Sequence, residues 1–144
     1  MSRVVARATT EVPAAPDRVV EFLRDYRDSR ERILTENYTA YRVEQGGTGE
    51  GTVYAYHFAA GGRERDYRLH VHESPGAIQE SDQLSSFVTT WKVDSSPTGS
   101  EVTIESSWDG AGGIGGIFEG LFAPMGLRRI YGQVLAKLTA ALAV

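Results

Sequence analysis

Three histidines and their acidic neighbours are the side chains of this sequence with the clearest capacity for acid–base or metal chemistry. His70 and His72 stand two residues apart, as on one face of a strand, and could bind a metal together with His57 or Glu73. His57 and Asp66 could form an acid–base dyad if a hairpin brings them together. No histidine–carboxylate spacing of the zinc-protease kind accompanies them. We therefore interpret these residues as a charged surface, and predict no catalytic group and no metal site.

Other reactive groups are scarce. The chain has no cysteine, which excludes disulfides, thiolate metal sites and cysteine nucleophiles, and no serine lies in a nucleophile-elbow pattern. The acidic residues Asp25, Asp28, Glu31 and Glu36 are explained by a solvated helical face. The glycine-rich segment 46–51 lacks the Gly-Lys-Ser/Thr ending of a phosphate-binding loop and favours a hairpin loop instead. We predict no cofactor.

Length and charge limit the possible partners. The chain has 144 residues, 41% of them apolar and 24% charged, which is typical of one globular domain spanning 1–144. Its net charge is −4 with no basic run, which argues against nucleic acid and against an anionic membrane surface. No secretory signal and no membrane-spanning apolar run is visible, so a cytoplasmic location without stable membrane insertion is expected. Monomer and homodimer both remain open.

The amino-terminal region predicts a strand followed by two helical segments. Alternating Val, Ala and Thr residues over 3–12 indicate the strand, which Pro13 ends. Apolar residues at helical spacing predict an amphipathic helix over about 16–26, with Pro16 at its first position. The charged stretch 27–32 predicts a second helical turn that continues towards Ile33.

From residue 36 to 108 the apolar pattern changes to period two, with turns rich in glycine or containing proline. Consecutive short strands joined by hairpin turns predict an antiparallel sheet. The six predicted strands cover about 36–45, 51–60, 63–73, 77–83, 86–94 and 101–108.

The hairpin with Gly61-Gly62 at its tip predicts which face of the sheet is buried. Folding it symmetrically places Tyr56 opposite Tyr67 on one face and His57 opposite Asp66 on the other. A slip by one residue would exchange the faces, so their segregation supports this register. The predicted inner face also carries Tyr54 opposite Leu69, together with Phe58 and Val71; the outer face also carries Ala55 opposite Arg68 and Val53 opposite His70.

A second hairpin predicts more inward aromatic residues. Its register places Val93 opposite Val102, and the inward pairs that follow are Trp91 with Ile104, Thr89 with Ser106, and Phe87 with Trp108. The strand near 77–83 alternates weakly, and its register is left unassigned. We place Arg65 and Glu80 at the margins of the inner face, where the pattern otherwise puts only hydroxyls.

The carboxyl-terminal region carries apolar residues at helical spacing over nearly 30 residues. Pro124 interrupts the pattern, and its ring meets the carbonyl of Gly120, so we predict a kink or break there. The apolar positions are Ile114, Ile117, Phe118, Leu121, Phe122, Met125, Leu127, Ile130, Tyr131, Val134, Leu135, Leu138 and Leu142.

Two segments carry a family resemblance. The run Val-Pro-Ala-Ala-Pro-Asp-Arg-Val-Val-Glu-Phe-Leu-Arg-Asp at 12–25 and the glycine-rich segment 46–51 resemble the polyketide cyclase/dehydrase branch of the START-like (SRPBCC) superfamily, which is related to the birch-pollen allergens. The resemblance implies an α+β helix-grip fold: a seven-stranded curved antiparallel sheet wrapped around a long C-terminal helix, in the order strand, helix, helix, six strands, helix. It also implies a cavity between them.

The predicted function is the binding or transport of a small hydrophobic molecule, such as a lipid or a polyketide, between sheet and helix. A polyketide cyclase, aromatase or dehydratase that acts by positioning its substrate is the first alternative, and a protein-interaction module is the second. The predicted ligand-binding residues are Tyr54, Tyr56, Phe58, Tyr67, Leu69, Phe87, Thr89, Trp91, Ser106, Trp108, Phe118, Leu121, Phe122 and Met125.

Overall fold

A computed structural model describes residues 3–109 and 123–143 of the chain. The elements follow the predicted order, with one short 3-10 helix in place of the second helical turn. They are β1 (Arg3–Val12), α1 (Pro16–Leu23), the 3-10 helix (Arg30–Ile33), β2 (Tyr38–Gln45), β3 (Val53–Ala60), β4 (Arg63–Ser74), β5 (Ala77–Asp82), β6 (Val88–Ser96), β7 (Gly99–Asp109) and α2 (Pro124–Leu142).

The strands form one seven-stranded antiparallel sheet in the order β1-β7-β6-β5-β4-β3-β2. Both predicted hairpin registers are confirmed, since Tyr56 pairs with Tyr67 and Trp91 with Ile104. Several strand ends differ from the prediction by one or two residues; the one that affects the site is the start of β6 at Val88, so Phe87 lies just before it. The curved sheet and the C-terminal helix give the α+β helix-grip fold that the sequence predicted.

The register of β5, which the sequence left open, puts two acidic residues on the inner face. Glu80 pairs with Val71 and Asp82 with Leu69, and both of these partners point into the core. Side chains of a strand alternate between the two faces, so Ile78, Glu80 and Asp82 share the inner face. Placing Glu80 at the margin was wrong, because this parity buries it at the centre of the sheet, 2% exposed.

Helix α1 is short and packs one face on the sheet. Pro16 lies in its first turn, where a missing amide donor costs no hydrogen bond. Val19, Phe22 and Leu23 are buried, which confirms the predicted amphipathic face, but the helix ends at Leu23 rather than near Tyr26.

The glycine-rich segment 46–51 connects β2 to β3 and forms backbone hydrogen bonds with the residues that follow α1. The Tyr26 amide donates to the Gly47 carbonyl at 2.9 Å, and the Gly49 amide donates to the Arg24 carbonyl at 2.9 Å. The Arg24 guanidinium reaches Glu73 of β4 through two hydrogen bonds of 2.9 and 3.0 Å. These contacts fix the direction in which the chain runs from α1 towards the 3-10 helix.

Helix α2 begins at Pro124, with the preceding Ala123 in an extended conformation. Proline thus starts the described helix, where its missing amide donor is tolerated. The helix packs against β1 and the 3-10 helix. Its buried face consists of Leu127, Ile130, Tyr131, Val134, Leu135, Leu138 and Leu142. The predicted apolar positions 114–122 lie outside the described residues. Neither described helix is long and apolar enough to cross a membrane.

The turn between β6 and β7 fits closely against the entry to α1. Gly99 has a φ of +145°, and a Cβ built on it would lie 2.4 Å from the Val12 carbonyl oxygen and 2.7 Å from the Ala14 amide nitrogen. Both contacts are with backbone, which cannot rotate away as a side chain could. Glycine is therefore required here for close packing as well as for its backbone angle.

We expect Gly99→Ala to lower the free energy of unfolding by more than about 2 kcal/mol, because it combines a backbone clash with an unfavourable φ. Gly62→Ala is the matched control, since Gly62 also has a positive φ but open space around it. The control should lose about 1 kcal/mol. Urea denaturation measures both changes, and equal losses would show that packing at Gly99 is unimportant.

Candidate functional site

A small cavity of about 20 Å³ lies between the inner face of the sheet, the 3-10 helix and α2. Such a volume holds roughly one water molecule or one polar group of similar size. The lining residues are Arg30, Leu34, Tyr38, Tyr54, Tyr56, Glu80, Thr89, Trp91, Ile104, Tyr131 and Val134.

An ion pair between Arg30 and Glu80 forms one wall of the cavity. The Arg30 Nη2 atom lies 2.7 Å from Glu80 Oε2, and the two side chains are only 4% and 2% exposed. Tyr26 donates to Glu80 Oε2 at 2.6 Å, and Tyr54 donates to Oε1 at 2.8 Å. The carboxylate thus has three donors around it, as a buried charge requires.

Arg30 is held by other groups as well. It donates to the Leu23 carbonyl at 2.9 Å, and its guanidinium lies 4.7 Å from the ring centre of Tyr26 and 5.0 Å from that of Trp91. Two buried donors on this wall, Arg30 Nε and Trp91 Nε1, have no hydrogen-bond partner among the described residues. The wall therefore offers more donors than the described protein atoms use.

Burial and charge both act on the ionisable groups of this wall. Burial is the largest single influence and opposes the charge of Arg30, but Glu80 and the neighbouring tyrosines together outweigh it and raise the pKa of Arg30 well above its usual value. Burial, followed by the negative charge of Glu80, raises the pKa of Tyr26 and Tyr54 well above 10. Both tyrosines therefore stay protonated and remain donors to Glu80 at neutral pH.

A second polar group crosses three neighbouring strands beside the ion pair. Glu80 pairs with Thr89, and Thr89 pairs with Ser106, on the same inner face. The Thr89 and Ser106 hydroxyl oxygens are 2.6 Å apart, and Ser106 also hydrogen-bonds the hydroxyl of Tyr131 on α2. All three hydroxyl residues are at most 5% exposed.

Next to the polar wall, aromatic side chains cover the inner face of the sheet. Ring centres are 5.5 Å apart between Tyr56 and Tyr67, 4.9 Å between Tyr67 and Phe87, and 5.8 Å between Phe87 and Trp108. These distances are typical of favourable aromatic pairs. The site thus combines a charged, hydrogen-bonded wall with an adjoining aromatic surface, which we call the aromatic row.

The predicted ligand-binding residues fall into four groups. Tyr54, Tyr56, Thr89 and Trp91 line the cavity. Met125 is 73% exposed at the start of α2, and Phe118, Leu121 and Phe122 lie outside the described residues. The remaining six are buried in the core around the cavity without lining it: Phe58, Tyr67, Leu69, Phe87, Ser106 and Trp108.

Sequence reasoning missed Arg30 and misplaced Glu80. A signal for Glu80 was the parity of β5, because Ile78 must face the core and Glu80 lies two residues later. A weaker signal for Arg30 was its spacing from Tyr26 and Ile33, both fully buried, at helical intervals of four and three residues. Burial of either charge is acceptable only because the other is paired with it, and the two residues are distant in sequence.

The histidines lie on the outer face, as the hairpin register predicted. His57 Nδ1 lies 2.8 Å from Asp66, and His57 Nε2 lies 2.9 Å from Glu64, whose side chains are 78% and 72% exposed. In the part of the chain that the structure describes, no three His, Asp or Glu side chains are grouped to hold a metal ion.

Comparison with known proteins agrees with this architecture. Residues 3–143 match the family described as polyketide cyclase / dehydrase and lipid transport. The chain belongs to this family. It is 38% identical to the KanY protein. The alignment with the solution structure of KanY covers 100% of each chain, with a TM-score of 0.89. No protein of curated function matches the chain.

More distant structures share the fold. The major latex-like protein 151 from Panax ginseng is 13% identical over 97% of each chain, with a TM-score of 0.75. Ara h 8.0201 is 9% identical over 99% of each chain, with a TM-score of 0.62. At these identities the likeness shows the START-like helix-grip fold alone.

The buried ion pair between Arg30 and Glu80 can be tested through its effect on stability. Glu80→Gln leaves the buried charge of Arg30 unpaired, so we expect it to lower the free energy of unfolding by about 3–5 kcal/mol. The double variant Arg30→Met/Glu80→Gln removes that charge and should recover much of the loss. Urea denaturation measures both. Additive losses in the double variant would contradict the predicted coupling.

The exposed pair Arg7–Glu105 is the matched control, because both side chains are at least one-third exposed. Glu105→Gln should change stability by less than about 1 kcal/mol.

His57 gives a test of the outer face. Its hydrogen bond to Asp66, and then the one to Glu64, raise its pKa above 6.5. Because the pKa is raised in the folded protein, pairing of protonated His57 contributes its full stability below about pH 6.5. That contribution to stability is lost as the pH rises through the raised pKa. In an NMR titration, Asp66→Asn should lower the pKa of His57 more than Glu64→Gln does. No change in Asp66→Asn would show that the pair does not form in solution.

Proposed function

We propose that the protein binds and carries a small hydrophobic molecule between the sheet and α2. The observation that supports this most directly is a cavity whose wall is a buried ion pair and whose surroundings are aromatic. A ligand pocket of this kind is apolar with a few placed polar groups. Membership of the polyketide cyclase / dehydrase and lipid transport family is consistent with it.

The ion pair itself supports a functional role. Removing two charges from water is expensive, and a well-packed apolar pair is often as stable or more so. Stability alone therefore gives little reason to keep Arg30 and Glu80 in the core. A polar wall that orients a ligand gives one, and perturbed ionisable groups beside a cavity are typical of functional sites.

The aromatic row would supply most of the affinity. Burial of apolar ligand surface contributes about 25 cal/mol per Å² before the costs of association. The cavity of about 20 Å³ admits only the polar end of a ligand, so the apolar body requires neighbouring side chains to move apart. Met125, exposed at the start of α2, is our candidate for an adaptable rim.

Glu80 supports a second candidate function. The enzyme hypothesis requires an acid or base inside the pocket, and the Glu80 carboxylate lines the cavity. A carboxylate there could remove a proton next to a ligand carbonyl, as a cyclase or dehydratase requires. Chromatography coupled to mass spectrometry of recovered ligand separates the functions: a carrier returns it unchanged, a cyclase returns an isomer of equal mass and different retention, and a dehydratase returns a product lighter by one water.

Binding is tested with the neutral apolar dye Nile red. Tyr56 lines the cavity and adjoins the aromatic row, so Tyr56→Arg should abolish the fluorescence increase by placing an unpaired charge against the ligand. His57→Arg, one residue away on the outer face, should leave it nearly unchanged. Tyr56→Leu keeps the site apolar and should still bind.

Circular dichroism establishes that each variant is folded before binding is compared. A folded Tyr56→Arg protein that binds the dye as the unmodified protein does would contradict the proposed site. So would failure of Tyr56→Leu to bind while remaining folded.

A further inference from the structure

The buried carboxylate of Glu80 has an acceptor position that the described residues leave unused. Its Oε2 atom accepts the Tyr26 hydroxyl at 2.6 Å and lies 2.7 Å from Arg30 Nη2. Its Oε1 atom accepts one hydrogen bond, from Tyr54 at 2.8 Å, and none from another of the described residues. An ionised carboxylate oxygen can accept two hydrogen bonds. Because Glu80 lines the cavity, a group bound there can supply the second one.

Two donors on the same wall are also unused. Arg30 Nε and Trp91 Nε1 are buried, have no partner among the described residues, and belong to residues that line the cavity. Trp108 Nε1 is buried and unpartnered as well, but Trp108 does not line the cavity. A buried donor without a partner is unfavourable, so a ligand atom that accepts a hydrogen bond from Arg30 or Trp91 is favoured at this wall.

The other polar side chains of the lining do not alter this balance. Thr89 and Tyr131 can use their hydroxyl protons within the group that they form with Ser106, because hydrogen bonds connect all three hydroxyls. Tyr38 and Tyr56 each carry a hydroxyl that both donates and accepts, so these two residues suit either kind of ligand atom. The balance is therefore set by the unused acceptor and the two unused donors.

A hydroxyl group matches these unused groups. It can give its proton to Glu80 and accept from Arg30 and Trp91, whereas a ketone or ether oxygen has no proton for the carboxylate. Hydrogen bonds to a charged acceptor are stronger than those between neutral groups. A ligand carboxylate would meet Glu80 without a free cation to compensate, because Arg30, the single cation of the lining among the described residues, is already paired.

We propose that the polar end of the ligand is an uncharged hydroxyl group, which donates its proton to Glu80 Oε1 and accepts hydrogen bonds from Arg30 Nε and Trp91 Nε1. The cavity of about 20 Å³ has room for one such group, and the aromatic row contacts the apolar body. This inference rests on the proposed binding function and adds the chemical class of the ligand's polar end.

Four naphthalenes test the proposal by competition with Nile red. 2-Naphthol carries a hydroxyl where 2-methylnaphthalene carries a methyl group. 2-Methoxynaphthalene carries an ether oxygen, which accepts but cannot donate, where 2-ethylnaphthalene carries a methylene group. Each pair is nearly constant in size, so the gain in affinity from the oxygen can be compared between the pairs. The gain of 2-naphthol should exceed that of 2-methoxynaphthalene at least about tenfold, the equivalent of one hydrogen bond to a charged group.

Two variants separate donation by the ligand from acceptance. Arg30→Met/Glu80→Leu removes the carboxylate without leaving an unpaired charge, so the extra gain of 2-naphthol should disappear. Trp91→Phe removes one donor and keeps an aromatic ring. In that variant both oxygen compounds should lose about fivefold in affinity relative to their hydrocarbon counterparts, the equivalent of one neutral hydrogen bond, and the extra gain of 2-naphthol should remain.

The outcomes are distinct. Equal gains for 2-naphthol and 2-methoxynaphthalene in the unmodified protein would overturn the inference and leave the binding function intact, and this comparison needs no variant to fold. For variants that circular dichroism shows to be folded, an extra gain that persists in Arg30→Met/Glu80→Leu, or no loss in Trp91→Phe, would also overturn it. Failure of Nile red to bind, or of all four compounds to displace it, would count against the binding function instead.

Discussion

The ion pair between Arg30 and Glu80 joins two distant parts of the chain and determines much of what surrounds it. Arg30 enters the core from the 3-10 helix, and Glu80 comes from the middle strand of the sheet. Neither charge is acceptable there alone, because an unpaired buried charge costs several kcal/mol. Tyr26 and Tyr54 complete the shell of the carboxylate. The position of α1, the turn after it and the inner face of β3 all have to agree with this one contact.

The polar wall and the aromatic row lie side by side, so the site has a polar part and an apolar part. Glu80 and the hydroxyl residues Thr89 and Ser106 occupy one line across three strands, and the rings of Tyr56 and Tyr67 lie to one side of it. A ligand with one polar end and an apolar body matches that arrangement. The relationship to KanY, at 38% identity over both whole chains, places the same architecture in a relative without specifying its ligand.

Local pattern was sufficient for most of the fold. Alternation and turn residues predicted all seven strands and both hairpin registers, because each depends on neighbours close in sequence. The polar wall depends on partners far apart: Arg30 is 50 residues before Glu80, so neither residue's surroundings show why it is buried. Charges in a turn and in a weakly alternating strand are usually solvated. Sequence reasoning applied that rule, and the rule fails where two opposite charges meet.

The polar line across the sheet also has a consequence for how the chain avoids misfolding. If β5 slipped by one residue against its neighbours, Gln79 or Ser81 would replace Glu80 on the inner face. Arg30 would then have no anion to meet, and Glu80 would leave Tyr26 and Tyr54 without their acceptor. An apolar inner face also opposes such a slip, because the slip exchanges the two faces, and the ion pair adds the need for one particular partner. The residues that would orient a ligand therefore also favour the correct register of β5, because a shifted register would break the buried ion pair.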